Sequence, residues 1–116
     1  MPSSRSVLQL FEDIAENISR IEGYTAGYDA LKFSEDGMCQ DAVQHCLLRL
    51  SEAARLLGDG AIKYAPDIPW RDIRGIGNRL RHEYQKVETA LIWRVVEKDL
   101  SPLKQAVSEA LKQLRG

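Results

Sequence analysis

Nowhere in this sequence do apolar residues run on for the roughly 18 positions that a membrane-spanning helix needs. The opening stretch MPSSRSVLQLFEDIAEN also lacks the apolar core of a signal peptide. The expectation is therefore a cytoplasmic chain that does not engage a membrane. Cysteine is scarce: Cys39 and Cys46 fall on one helix, too far apart along it to bond each other, and read as reduced core thiols. Together with His45 they do not have the spacing of a zinc site, so neither a metal nor a cofactor is expected. Charge of one sign is not in excess either, since 16 Lys and Arg face 17 Asp and Glu for a formal net charge of -1. Nucleic acid could then be held only by a local patch. Strand-like alternation, internal repeats and low-complexity tracts are absent as well.

What is present is helical periodicity. Val7, Phe11, Ile14, Ile18 and Ile21 recur at alternating steps of three and four, which predicts an amphipathic helix over 4–23 stopped by Gly23. A short helix or turn at YDALKFSED follows. A second long helix covers 36–57, with Cys39, Val43, Cys46, Leu50, Ala53 or Ala54 and Leu57 on its inner stripe. The segment GDGAIKYAPDIPW reads as a connector. Pro69 suits the first turn of a third long helix over 69–85. Thr89 is a candidate cap for a final helix, which Pro102 should kink or interrupt after Leu100. One domain of 116 residues, 44% hydrophobic, has room for a single core. The fold class is all-α: an up-and-down bundle of four main helices with a short extra one, its leftover apolar surface pointing to a homodimer.

The third helix is written unlike a helix that only packs. IRGIGNRLRHEYQKV holds Gly75 and Gly77, each costing about 1 kcal/mol in a helix interior relative to alanine. From Arg71 to Lys86 there are five cations (Arg71, Arg74, Arg79, Arg81, Lys86) and two acids (Asp72, Glu83), a local charge of +3. Arg74, Asn78 and His82 recur at i, i+4 and i+8 and share one face, with Arg81 beside them. Ile73, Ile76 and Leu80 take the other side. The glycines fall between these faces, where a backbone or a phosphate can come close. Such an edge suits cleavage of RNA by its own 2′-hydroxyl. Histidine moves protons near neutrality, arginine holds the phosphoryl charge in a fork, and asparagine orients either partner. A solvated basic face, with His82 merely complementing the helix dipole, is the plain alternative. Asp41 and His45 can pair on the surface, Glu52 has no assignable chemistry, and Trp70 and Trp93 read as core or interface anchors, or as stacking surfaces for a base.

The stretch PWRDIRGIGNRLRHEYQKVETALIWRVVEKDLSPL resembles the second half of HepT-like toxins, a branch of the HEPN ribonucleases. QDAVQHCLLRLSEAARLL is similar to that family's central helix and FEDIAENISRIEGYTAG to its first. The resemblance implies a helical homodimer with its active site in a cleft at the interface. It also implies a metal-independent endoribonuclease toxin, paired with an MntA-type nucleotidyltransferase antitoxin that transfers AMP to the tyrosine of an Arg-x4-His-x-Tyr motif. His82 then matches the catalytic histidine, Tyr84 the modified tyrosine and Asn78 the polar residue after the motif's arginine. The arginine has no counterpart, because Gly77 stands five residues before His82. Arg74 or Arg81 can bring a guanidinium to the same region. Otherwise the chain is an inactive HEPN dimer that binds a nucleotidyltransferase or a nucleotide, or a helical adaptor. Tyr84 points about 200° away from His82 on a regular helix, so the helix ends near 83 or the tyrosine is reached separately.

Overall fold

Ser6 starts the first helix by a reciprocal exchange. Its hydroxyl accepts from the Gln9 N–H at 3.1 Å, while the Gln9 side chain accepts from the Ser6 N–H at 2.8 Å. These distances come from a computed structural model that describes residues 5–82 and 88–116. Helix α1, Val7–Thr25, turns Leu10, Phe11, Ile14, Ile18 and Ile21 inward at the predicted steps. It runs past Gly23 and stops two residues later, where Gly27 takes the left-handed conformation (φ +78°) that ends helices after their C-cap.

Asp29 caps the short α2, Ala30–Ser34, by accepting from the Lys32 N–H at 2.8 Å. Asp36 does the same for α3, Gly37–Leu57, accepting from the Cys39 N–H at 3.0 Å and from the Tyr28 hydroxyl at 2.5 Å. The expected inner stripe of α3 is buried throughout, and both cysteines are free thiols within it. Burial pushes both thiols up from their ordinary range, as expected of packing groups rather than nucleophiles.

The segment that reads as a connector contains one further short helix, α4, Asp59–Tyr64. Helix α5, Trp70–His82, begins directly after Pro69, whose carbonyl accepts from the N–H groups of Asp72 and Ile73. Trp70 is a core residue, its indole N–H donating to the Ala65 carbonyl at 2.8 Å. Thr89 is the first residue of α6, Thr89–Arg94, and not its cap, a position held by Glu88. No interruption follows Leu100: α7, Leu100–Arg115, runs unbroken through Pro102, and the irregularity is a π-helical turn, Val95–Asp99, just before it. Proline offers no N–H to the carbonyl four residues back and its ring crowds that carbonyl, so the chain widens there without breaking.

The last three elements act as one rod, giving four main helices with α2 and α4 as short additions. α3 is central: α1 packs along one side of it, α5 rests on another, and α7 closes against α1. Phe11, Ile14, Ile18, Val43, Leu50, Leu80, Ile92 and Val107 fill the space between them. This is the all-α bundle the periodicity predicts. No helix among the described residues is long and apolar enough to cross a membrane.

The approach of α5 to α3 is set by Gly77. A Cβ at that position would fall inside the side chain of Ser51, whereas one on Gly75 would meet nothing within 4 Å. The two glycines therefore differ in kind. Gly75→Ala should raise stability by about 1 kcal/mol through helix propensity alone. Gly77→Ala should lower it by about 1–3 kcal/mol through overpacking, with partial recovery on adding Ser51→Gly. Urea titration of the three variants reads this difference, and equal stabilisation by both alanines would contradict it.

Candidate active site

Once Gly77 lies against Ser51, the placement of the charged residues on α5 follows. The helix matches its dipole, with Asp72 in the first turn and Arg79, Arg81 and His82 in the last. Trp70, Gly77 and Leu80 are buried and Ile73 and Ile76 half-buried, so this edge carries the packing as predicted. Asn78 and His82 are exposed. The unbroken helix over Trp70–His82 keeps Arg74, Asn78 and His82 on one face.

The two candidate arginines part company. Arg74, half-buried, turns toward the start of the helix, its Nε donating to the Trp70 carbonyl at 3.4 Å. Its Cα also lies about 12 Å along the axis from that of His82, at 1.5 Å per residue. Arg81 folds back over Gly77 instead: one terminal nitrogen of its guanidinium is 3.8 Å from where a Gly77 Cβ would be. So the space beside position 77, where the resembling motif carries its arginine, is bordered by a guanidinium rooted one turn later. Restoring arginine at 77 would drive its Cβ into Ser51, and so disturbs the helix pair as well as adding a charge.

What steadies Arg81 comes from α3. Its Nη1 lies 3.6 Å from Glu52 Oε2, an ion pair rather than a close hydrogen bond. Arg55, one turn along α3, donates to the same carboxylate twice, from Nε at 3.1 Å and from Nη2 at 2.5 Å. The Arg55 hydrogen bonds, and after them the charges of Arg55 and Arg81, hold the Glu52 carboxyl below the usual carboxylate range against a partial burial that opposes this. Glu52 also borders a polar cavity of about 350 Å³ between α1 and α3, shared with Asp13, Asn17 and Arg49.

Sequence reasoning misses this α3 contribution. An i, i+3 Glu–Arg pair reads as ordinary helix surface, and only the small residues Ser51, Ala53 and Ala54 hint that another helix comes close there. Trp93 is half-buried, with its ring 5.2 Å from that of Phe33, which fits a packing role. Tyr84 lies outside the described residues. No group of three or more His, Cys, Asp or Glu among the described residues could hold a metal ion.

A helical bundle that presents a histidine, an asparagine and a carboxylate-steadied guanidinium on one short cationic helix is equipped, as a class, to handle a phosphodiester. The chain belongs to the HepT-like ribonuclease family: residues 14–110 match that family, described as Ribonuclease HepT-like. It is 33% identical to the Thermococcus cleftensis protein named "Probable ribonuclease HepT", over 86% of this chain and 91% of that one. It is 29% identical to "Putative RNase MJ1380" of Methanocaldococcus jannaschii, over 90% and 96% of the two chains. No solved structure matches it significantly.

Because the Glu52 pKa is lowered in the fold, the ionised carboxylate is fully stabilised above the ordinary glutamate value of about 4.3 and is lost only as pH falls through its depressed folded value. A carbon-13 NMR titration should place the Glu52 midpoint below that ordinary value. A midpoint at or above it would contradict the Arg55–Glu52–Arg81 arrangement.

Proposed function

We propose that this protein is an endoribonuclease toxin that cuts RNA without a metal ion, using His82 as proton carrier and Arg81 as the phosphate contact. The position of the Arg81 guanidinium over Gly77, where the resembling motif has its arginine, carries the reading. The 2′-oxygen of a ribose attacks the adjacent phosphorus and the bond to the 5′-oxygen breaks, leaving a 2′,3′-cyclic phosphate and a free 5′-hydroxyl. The 2′-hydroxyl proton goes to a neutral imidazole, and a protonated imidazole supplies the proton to the leaving oxygen. Arg81 neutralises charge that builds on the phosphoryl oxygens. Asn78, one turn before His82, orients the imidazole or the phosphate.

The active unit in this reading is a homodimer, whose two copies of His82 can supply the acid and the base. A groove of about 270 Å³, lined by Ile73, Ile76, Val95 and Leu103, leaves apolar surface beside α5 and supports a second chain. An MntA-type nucleotidyltransferase silences the toxin by moving AMP onto Tyr84, and the setting is cytoplasmic. A second reading, an inactive HEPN dimer that binds such a nucleotidyltransferase or a nucleotide, rests on Gly77 standing in the arginine's place.

Purified protein should cleave single-stranded RNA or tRNA. His82→Ala should slow this by about 10²–10⁴-fold, Arg81→Ala by about 10²-fold or more, and Arg74→Ala by less than about tenfold, since its guanidinium points away. Equal rates for wild type and His82→Ala would remove His82 from the chemistry. A larger loss at Arg74 than at Arg81 would reverse the assignment, and no cleavage by wild type would favour the binding module.

A further inference from the structure

The ribonuclease reading draws its reacting groups from α5 alone and leaves Arg55 of α3 without a task. Two guanidiniums from different helices converge there on a single carboxylate, Arg55 on both of its oxygens and Arg81 on Oε2. Cations this close repel each other, and the carboxylate between them is what lets both stay. The cluster keeps a net charge of +1, from two guanidiniums and one carboxylate. Among the described residues it also keeps unused donors. Each guanidinium has five N–H groups. Arg55 directs Nε and Nη2 at Glu52, and the nearest Arg81 nitrogen to that carboxylate, Nη1, is 3.6 Å away. All three side chains are open to solvent, at 56% for Arg55, 38% for Arg81 and 43% for Glu52. A surface ion pair of this kind contributes little to folding, so stability does not account for it.

We propose that Arg55 and Arg81 form a two-helix phosphate clip held together by Glu52. Arg81 takes the phosphate being cut, and Arg55 takes a neighbouring phosphate of the same RNA strand. The assignment of Arg81 to the cut phosphate rests on the ribonuclease reading; the pairing of the two arginines does not. Glu52 is then a positioning residue that acts through both arginines. The ligand class is a single-stranded polyanion with phosphates at backbone spacing, and Arg55 extends the cationic edge of α5 across to α3.

The test separates binding from cutting. Affinity for a fully 2′-O-methylated RNA dodecamer, which cannot undergo 2′-hydroxyl attack, is measured by fluorescence anisotropy across a salt series. The slope of log affinity against log salt should fall by about 0.7 in Arg55→Gln, the value for one lost single-strand phosphate contact. Arg55→Lys should retain the wild-type slope. Glu52→Gln should keep the slope, because both cations remain. It should nevertheless shift the Arg81 side-chain N–H resonance, identified by its loss in Arg81→Gln, and lower kcat on cleavable RNA at least tenfold with little change in KM. Melting temperatures should match wild type throughout, since every altered side chain is exposed. An unchanged slope in Arg55→Gln overturns the clip. An unmoved Arg81 resonance in Glu52→Gln overturns the positioning role. A wild type that binds with an Arg55-dependent slope but does not cleave leaves the clip standing and overturns the ribonuclease reading.

Discussion

Helix α5 can reach its position only because residue 77 has no side chain. Ser51 of α3 occupies the volume that a Cβ there would need, so the two backbones approach as closely as a glycine allows. Buried Leu80 and Trp70 fasten the helix on either side of this contact. The close crossing in turn brings the last turn of α5 within reach of Glu52, the residue after Ser51. Arg81 then lies back over Gly77 with its charge answered from α3, while Arg74, nearly two turns earlier, faces the start of its own helix. One missing side chain thus decides both how the helices pack and which arginine lies over position 77.

Most of the fold is legible in the residues alone. The three-and-four spacing in α1 and the inner stripe of α3 place the core residues correctly, because long amphipathic helices in a small bundle leave few ways to bury their stripes. The departures are local and have local causes. Gly23 reads as a stop, but the chain turns left-handed only at Gly27, and α1 continues until just before it. The segment around Ala61 holds two glycines and two prolines, yet a short helix forms there with Ala61 buried against the core. Pro102 does not interrupt α7 after Leu100; the chain widens instead in the π-helical turn before that helix.

The site is legible only in part. The face shared by Arg74, Asn78 and His82 follows from helix geometry and is present. Which guanidinium lies near position 77 does not follow from spacing, since that depends on how a long side chain folds back and on what meets it from another helix. Gly75 and Gly77 look alike in sequence and are unlike in the fold, one with open space beside it and the other closed against Ser51. Glu52 and Arg55 give no signal of their own, because an acid and a base three residues apart on a helix are common surface features.

The chain belongs to the HepT-like ribonuclease family, and in our reading Gly77 stands where the resembling Arg-x4-His-x-Tyr motif has its arginine. We interpret the departure as a relocation: the guanidinium arrives from Arg81, and the glycine makes room for the helix crossing that orients it. A crystal structure of the protein with a non-cleavable 2′-O-methylated oligonucleotide tests this most directly. The expected result is a phosphate held in the fork of Arg81, beside His82, with Gly77 still packed on Ser51. A phosphate held by Arg74 instead, or no phosphate on this face of α5, would contradict it.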